Sequence, residues 1–415
     1  MQPAGMIIDH GDSAWMLTAT LLVMMMALPG LALFYGGMVR AKNLLSVMSQ
    51  VMAVTAIAIL VWIGWGYGLA FGEGGGVIGS LAKDGLRGVD GDSGWPLATP
   101  GHAIPELLFA CFQMSFAAIT IALVVGATAE RMRFSAMLLF AVLFLTFVYA
   151  PIAHMVWAPG GLIAAAGAID FAGGTVVHIN AGVAGLVAVG FVGRRTGFLK
   201  EAMPPHSLAL VLLGTGLLWV GWFGFNAGSA LEANGVAAVA MLNTFAAPAA
   251  GMLGWMGIEA WRAGKPSLLG GASGAVAGLV AVTPAAGVSG PLGAILLGLS
   301  ASAVCYGFIA RLKHQLKLDD SLDVFGIHGL GGIVGSIGTA LAALPAIGGH
   351  GGDAYDLGHQ LSAQLLAVAI AVAWSAVGSA VALTIVRAIT PLRLDEESER
   401  EGLDIAEHGE RAYNN

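Results

Sequence analysis

Charged side chains are scarce in this 415-residue sequence: Asp, Glu, Lys and Arg make up 10% of it, against roughly 25% in soluble domains. Apolar residues make up 57%. So little charge excludes an ordinary soluble domain and indicates a protein that lies in a lipid bilayer. Glycine is abundant, with 62 residues. In a membrane protein, that abundance favours helices packed backbone against backbone.

Cysteine is also scarce. The two cysteines, Cys111 and Cys305, both lie inside apolar runs, and neither their spacing nor their context predicts a disulfide or a metal site. The sequence lacks a glycine-rich phosphate loop, zinc-ligand spacing and a nucleophile elbow. We therefore expect no enzymatic activity, no cofactor, no metal and no nucleic-acid partner.

The few charged residues separate long uncharged runs. Ten of these runs reach the roughly 20 residues that a membrane-spanning helix needs. The run 266–310 contains a turn signal at Thr283–Gly287 and predicts two helices. The run 134–169 has a break at His154–Gly161, and the remainder is too short for a second span, so it predicts one helix and an outer loop. The sequence thus predicts an all-α polytopic membrane protein with eleven transmembrane helices.

The basic residues predict the orientation of these helices. With an odd number of spans the two termini lie on opposite sides of the membrane. If the N-terminus is outside, only Lys83 and Arg87 of the 18 basic residues fall in outer segments. Because Lys and Arg concentrate on the cytoplasmic side, the bias predicts an N-out, C-in topology.

Two segments of the chain resemble each other. Helix five contains His178, followed by glycines four and seven positions later, and helix ten repeats that spacing after His328. An aspartate lies upstream of each histidine, at Asp170 and Asp323. Because the two helices are five spans apart, they run in opposite directions. The pattern predicts an inverted repeat of five plus five helices with an eleventh helix added, and a substrate path near the middle of the membrane.

His178 and His328 are the first candidate site residues. An ionisable side chain inside a span is a functional hypothesis by default. For a single histidine, a hydrogen bond between helices is an alternative interpretation. Two histidines related by the repeat would meet near its pseudo-twofold axis, which favours a role in the pore.

A second candidate site is aromatic. Phe112 and Phe116 share a face of helix three, and Trp222, Phe225 and Ser229 share a face of helix six. With Trp157, expected in the outer loop, they would form a cluster at the outer mouth that attracts a small cation through the ring faces. An interfacial aromatic belt or ordinary packing is the alternative.

Aspartates complete the candidate set. Asp170 opens helix five, where a carboxylate accepts backbone N–H bonds and meets the positive end of the helix dipole. We expect this structural role to outweigh direct cation binding by Asp170. Asp323 is expected to hold the equivalent position at the inner end of helix ten, as a cap or in a salt bridge.

Several motifs carry a resemblance to a known family. The chain resembles the ammonium transporter (Amt/Mep/Rh) family, of the bacterial ammonium transporter type, from helix one through the tail segments Glu401–Asp404 and Glu407–Glu410. The motifs are Gly30–Gly37 (GLALFYGG), Ala153–Trp157 (AHMVW), Asp170–Asn180 (DFAGGTVVHIN), Gly221–Ser229 (GWFGFNAGS) and Asp323–Gly329 (DVFGIHG).

The resemblance implies roles for individual residues. Phe112, Trp157 and Ser229 match an outer recruitment site for ammonium, with Asp170 as its supporting acid. Phe116 and Phe225 match a gate of stacked phenyl rings, and His178 and His328 match the paired histidines of the pore. Trp222 is expected to support this site.

The resemblance also implies partners and location. It implies a homotrimer in the cell inner membrane with one pore per subunit, which moves ammonium or ammonia and also methylammonium. A PII signal protein would dock on the cytoplasmic face.

The chain divides into two predicted parts. Residues 1–390 form the transmembrane ammonium transporter domain, and residues 391–415 form a cytoplasmic tail. By composition the tail is a solvated charged segment. The resemblance implies instead that it folds under the inner face, beside basic residues at Arg194, Arg195, Arg311, Lys313 and Lys317. An ammonium sensor of the same fold, with little conduction, is the alternative function, although the short tail carries no signalling domain.

Overall fold

The structure is a computed structural model that describes residues 6–352 and 354–413. Within these residues, eleven helices are long and apolar enough to cross a membrane, as predicted. They are α1 (His10–Met38), α2 (Ala41–Phe71), α3 (Glu106–Thr128), α4 (Phe134–Ala165), α5 (Gly174–Val192), α6 (Leu208–Gly228), α7 (Gly235–Ala263), α8 (Leu268–Ala285), α9 (Pro291–Gln315), α10 (Phe325–Ala342) and α11 (Leu357–Ile389). The protein is a multi-pass membrane protein.

The break in the run 266–310 lies where the turn signal predicted it. Helix α8 ends at Ala285 and α9 begins at Pro291, which occupies the first turn of the new helix, where proline is tolerated. The break predicted in α4 is also present, because the long part of the helix ends at Trp157 and a short turn precedes Leu162–Ala165.

The inverted repeat is visible in the backbone of α5 and α10. Each helix begins with a π-helical turn that contains its histidine, Gly174–Ile179 in α5 and Phe325–Gly329 in α10. The two helices approach closely beside these turns. A Cβ atom added to Gly182 would lie 2.3 Å from the backbone nitrogen of Gly329, so no larger residue fits there.

The aspartates of the repeat agree with the prediction in part: Asp323 forms a salt bridge, one of its two expected roles, but it is not the equivalent of Asp170. The side chain of Asp170 accepts backbone N–H bonds at the start of α5, and Asp320, not Asp323, does the same for Val324 and Phe325 at the start of α10. Asp323 instead forms an ion pair with Lys313, 2.5 Å away. Asp170 and Asp320 each lie eight residues before the histidine of their helix, so the equivalent positions share one spacing.

Short elements cover the ends of the helices on the side of the N-terminal segment. Strands β1 (Ile7–Ile8), β2 (Gly94–Pro96) and β3 (His102–Pro105) form a three-stranded sheet in the order β1-β3-β2. The sheet joins the N-terminal segment to the loop between α2 and α3. Short 3₁₀ turns lie at Leu81–Leu86 and Pro345–Ile347.

Asp9, Asp12 and His102 place potential ligand atoms within 4.8 Å of one another beside this sheet. The aspartates already accept hydrogen bonds there: Asp9 from the Asp12 N–H and Asp12 from the Ala233 N–H. These bonds join the start of α1 to the loop after α6.

The tail is folded against the N-terminal ends of α2 and α4. It contains two short helices, α12 (Glu396–Glu401) and α13 (Leu403–His408). The carboxylate of Asp404 accepts the N–H of Ser46 at 2.8 Å, and that of Glu407 accepts the N–H of Phe134 at 2.6 Å. Acidic tail residues thus occupy the N-terminal ends of two helices, where negative charge is stabilising.

The basic residues that hold the tail are not the predicted ones. Lys42 donates to the carbonyl oxygens of Glu399 and Arg400, and Arg393 pairs with the Glu399 carboxylate. Arg195, which we expected to face the tail, instead pairs with Glu130 and Asp319. Arg194 donates to the Lys317 carbonyl, and Lys313 pairs with Asp323.

Candidate functional site

An aromatic cavity opens beside the N-terminal half of α3, which carries Phe112. Its volume is about 150 Å³. Among its wall residues are four that the sequence predicted together, namely Phe112, Phe116, Trp157 and Ser229. The wall also contains residues that the sequence analysis did not single out: Phe71, Trp95, Phe109, Gln113, Phe171 and Leu231. Phe171 lies in the motif Asp170–Asn180, the other five lie outside the motifs, and the folded chain brings all six together at this cavity.

A hydrogen bond joins the Trp157 side chain to the backbone of Asp170. Trp157 is the last residue of the long part of α4, not a loop residue as predicted, because the helix continues through the AHMVW motif. Its indole N–H donates to the Asp170 carbonyl oxygen at 2.9 Å, which fixes the ring at the cavity wall. The Asp170 carboxylate itself is occupied by the N–H groups of Gly173, Gly174 and Thr175 and by the Thr175 hydroxyl.

Ser229 follows the last residue of α6. Its hydroxyl donates to the Phe225 carbonyl oxygen at 2.8 Å, one turn back in the helix. Because a hydroxyl has one donor and two acceptor lone pairs, this bond leaves the oxygen able to accept a further hydrogen bond at the cavity wall.

Two phenyl rings close the floor of the cavity. The rings of Phe116 and Phe225 stack with centroids 4.2 Å apart and planes at 14°. Phe116 forms part of the outer cavity, and Phe225 forms part of a second cavity on the other side of the pair. The stacked rings therefore lie between the two spaces.

The second cavity is narrow and apolar. Its volume is about 10 Å³, close to the lower limit for one water molecule. Apart from His178, His328 and Trp222, its wall consists of hydrophobic side chains: Met26, Leu31, Phe34, Ile119, Leu123, Leu218, Phe225 and Val276. An ion cannot be hydrated in this space.

His178 and His328 meet at this cavity. Their Nδ1 atoms lie 3.2 Å apart, and both side chains are buried. The Nε2 atom of His178 has no hydrogen-bond partner among the described residues. Because two neutral imidazoles share one proton between their Nδ1 atoms, the rings are in opposite tautomers. One Nε2 is then a donor and the other an acceptor.

Trp222 supports the first of these histidines. Its indole stacks on the His178 ring with centroids 5.4 Å apart and planes at 22°. The indole N–H donates to the Thr283 hydroxyl at 2.9 Å, and Thr283 in turn contacts the amide oxygen of Asn226. Trp222 thus lies at the depth of the histidines, below the mouth residues of α6.

A buried ionic cluster lies at the opposite end of the molecule, near the tail. Glu130 contacts Arg195 at 3.1 Å and Arg40 at 2.8 Å, and Asp319 contacts Arg195 at 2.7 Å. Burial opposes ionisation of Glu130, but the guanidinium groups of Arg195 and Arg40 outweigh burial and hold its pKa below the ordinary value. The cluster joins the ends of α1, α3, α5 and α10.

Comparison with known proteins identifies the family. Residues 14–413 match the model of the Ammonium Transporter Family. The chain belongs to the ammonium transporter family. An ammonium transporter of Bacillus subtilis is 46% identical over 405 residues, which cover 97% of this chain and 98% of the relative. The ammonium transporter Amt1 of Archaeoglobus fulgidus is 44% identical over 408 residues, 98% of this chain and all of the relative.

Solved structures of ammonium transporters share the fold. The crystal structure of Saccharomyces cerevisiae Mep2 superposes with a TM-score of 0.83 at 36% identity, covering 94% of this chain and 88% of Mep2. A structure described as a sensor Amt protein superposes with a TM-score of 0.85 at 27% identity, covering 96% and 98%. The family resemblance in the sequence motifs is thereby confirmed.

Proposed function

We propose that this protein moves ammonium or ammonia across the cell inner membrane through the path that runs from the aromatic cavity to the histidine pair. The observation that carries the proposal is the order of three features along the path through the protein. The aromatic cavity comes first, the stacked rings of Phe116 and Phe225 form its floor, and the paired Nδ1 atoms of His178 and His328 lie in the dry cavity beyond.

The outer cavity is the proposed recruitment site for the cation. The rings of Phe112 and Trp157 supply cation–π attraction, and the oxygen of Ser229 accepts a hydrogen bond from ammonium. Asp170 supports the site from behind, because its carboxylate fixes the start of α5 while its carbonyl holds Trp157.

The free energy of removing water from the substrate decides which species crosses the pore. A bare ion in an apolar medium costs far more free energy than a few ring contacts return, since cation–π contacts contribute about 0.5–2 kcal/mol each. Desolvation favours the neutral form, so ammonium gives a proton to water at the mouth and ammonia crosses the gate. In the histidine pair, the unprotonated Nε2 takes up a proton from water, the shared proton moves from one Nδ1 to the other, and the second Nε2 releases its proton on the far side. Potassium has no proton to lose and is excluded.

The assembly and orientation belong to the same proposal. We propose an N-out, C-in homotrimer with one pore per subunit and methylammonium as a second substrate. The transporter domain comprises residues 1–390 and the cytoplasmic tail residues 391–415; residues 1–5, 353, 414 and 415 of these parts lie outside the described residues. The folded tail and the ionic cluster near it support docking of a PII signal protein on the cytoplasmic face.

Current and uptake in reconstituted vesicles test the transport function. We expect an ammonium pulse to evoke a current on a supported membrane, methylammonium to be taken up, and an equal pulse of potassium to give no current. A saturable ammonium-binding signal with neither current nor uptake would contradict transport. That result would favour the sensor function, which the likeness to the sensor Amt protein keeps as the second candidate.

A further inference from the structure

Gln364 on α11 uses every hydrogen-bonding position of its side-chain amide. The oxygen accepts the Ile169 N–H at 2.7 Å and an amide N–H of Gln360 at 3.2 Å. The nitrogen donates to the Ile169 carbonyl at 2.9 Å and to the Ser336 carbonyl at 2.7 Å. The residue is buried. Because an amide has two donor hydrogens and two acceptor lone pairs, the side chain is saturated, and removing it leaves buried backbone groups unpaired.

The backbone that Gln364 holds leads directly into the recruitment site. Ile169 precedes Asp170, whose carbonyl oxygen accepts the Trp157 indole N–H at 2.9 Å. Phe171 follows and lies in the wall of the aromatic cavity. Because the peptide unit between Ile169 and Asp170 is planar, a bond that fixes the Ile169 carbonyl also fixes the direction in which the chain enters Asp170. A shift of Ile169 therefore moves the carbonyl to which the Trp157 ring is attached.

The same amide joins the two halves of the inverted repeat. Ile169 lies just before α5, Ser336 lies in α10, and α11 itself lies outside the repeat. Further along α11, the Ser375 hydroxyl donates to the Asn180 amide oxygen in α5 at 2.7 Å. The eleventh helix thus holds both of the helices that carry the paired histidines, and Gln364 is its contact with the segment that enters the recruitment site.

We propose that Gln364 is a positioning residue of the recruitment site, whose amide fixes Ile169 and, through the Asp170 carbonyl, sets the place of the Trp157 ring. This inference rests on the proposed function. Gln364 is not among the described residues that line the aromatic cavity, so it acts on ammonium through Trp157. Cation–π attraction requires the cation to lie within about 6 Å of the ring centroid, so a displaced ring weakens recruitment. The histidine pair is unaffected.

The test measures the half-saturating ammonium concentration and the maximal current in reconstituted vesicles. Gln364→Met keeps the length of the side chain and removes its four hydrogen bonds. We expect it to raise the half-saturating concentration about two- to tenfold, the range that corresponds to the net free energy of one hydrogen bond, and by no more than Trp157→Leu does. We expect the maximal current to stay unchanged, because the pore beyond the mouth keeps its residues.

A double-mutant cycle separates positioning from general destabilisation. Trp157→Leu removes the ring and the N–H that the Asp170 carbonyl holds. If Gln364 acts through Trp157, adding Gln364→Met to Trp157→Leu raises the half-saturating concentration little further, because there is no ring left to position. Two independent weaknesses would instead multiply.

Gln50 provides a matched control. It is a buried glutamine on α2 whose amide nitrogen donates to the Met132 carbonyl, away from the aromatic cavity. Gln50→Met should leave the half-saturating concentration unchanged. If Gln364→Met does not form trimers, Gln364→Glu is the second variant. It keeps the shape and the acceptor oxygens but no longer donates to the Ile169 and Ser336 carbonyls, so it should also weaken ammonium recruitment.

Four results would overturn the inference. They are an unchanged half-saturating concentration in folded Gln364→Met, multiplying effects in the double variant, equal weakening in Gln50→Met, and loss of the trimer in both Gln364 variants, which would show a role in folding. Trp157→Leu alone separates this inference from the proposed function. If Trp157→Leu weakens recruitment and Gln364→Met does not, only the role of Gln364 is wrong; if neither does, the recruitment site is wrong.

Discussion

The Nδ1 atoms of His178 and His328 lie 3.2 Å apart, although 150 residues separate them in the chain. The contact joins two helices of opposite direction at equivalent positions of the repeat. Because both rings share one proton there, each fixes the tautomer of the other. The pair therefore presents one donor and one acceptor nitrogen to a cavity that is otherwise apolar.

Replacing Trp157 tests the aromatic recruitment site. We expect Trp157→Leu to raise the half-saturating ammonium concentration about 2- to 30-fold, since a cation–π contact contributes about 0.5–2 kcal/mol. Trp157→Phe is the control, because it keeps a ring face, although a smaller one, and removes the N–H that donates to Asp170. It should weaken binding less than leucine does. Equal affinity in the leucine variant and the parent, at equal expression, would count against the site.

Gly402 tests the role of the folded tail. Its φ angle is 117°, and a Cβ atom there would lie 2.7 Å from the Lys42 carbonyl oxygen. We expect Gly402→Asp to displace α13 and lower transport several-fold without lowering the yield of trimer, because the pore lies elsewhere. Gly409→Asn is the matched control, since Gly409 has a φ of 67°, which asparagine tolerates, and no atom near its Cβ position.

Deleting residues 395–415 extends this test. We expect the deletion to reduce both uptake and PII binding. If both stay unchanged, the tail is only a solvated extension. Normal transport in Gly402→Asp would likewise show that the inner face does not depend on the tail.

The ionic cluster around Glu130 predicts a dependence of stability on pH. Because the folded-state pKa of Glu130 lies below its ordinary value of 4.5, its contribution is present above that pH and is lost as the pH falls through the folded-state value. We expect the melting temperature of the trimer to fall below pH 4.5. Glu130→Gln should be less stable by about 1.5–3 kcal/mol at neutral pH, since Arg40 and Arg195 lose charged hydrogen bonds to it while Arg195 keeps Asp319, and should show a shallower fall in acid.

Glu396 gives the control for that experiment. It pairs with Arg400 at 2.9 Å, but both side chains are exposed, and exposed pairs contribute little. Glu396→Gln should therefore melt like the parent at every pH. An unchanged acid slope in Glu130→Gln would show that other carboxylates set the pH dependence.

The fold could be predicted from the sequence because its strongest signals are long and local. Eleven apolar helices follow from the spacing of charged residues, and the repeat follows from the glycines after His178 and His328. The rings of Phe116 and Phe225, whose stacking the family resemblance implied, lie 4.2 Å apart where α3 and α6 pack together.

Predictions that depended on the direction of a single side chain were less successful. Asp323 was predicted to be the equivalent of Asp170, but the backbone turn before α10 brings the carboxylate of Asp320, not that of Asp323, to the N–H groups of the helix. The basic residues beside the tail were chosen by charge alone, and the structure pairs Arg195 with Glu130 and Asp319.

The most direct test of the central claim is the ammonium-evoked current of His178→Ala and His328→Ala on a supported membrane. We expect both variants to form folded trimers and to lose the charge-coupled current, because each removes one half of the shared-proton pair. Loss of the trimer would indicate a structural role. Unchanged current in both variants would contradict the proposal that the histidine pair relays the proton.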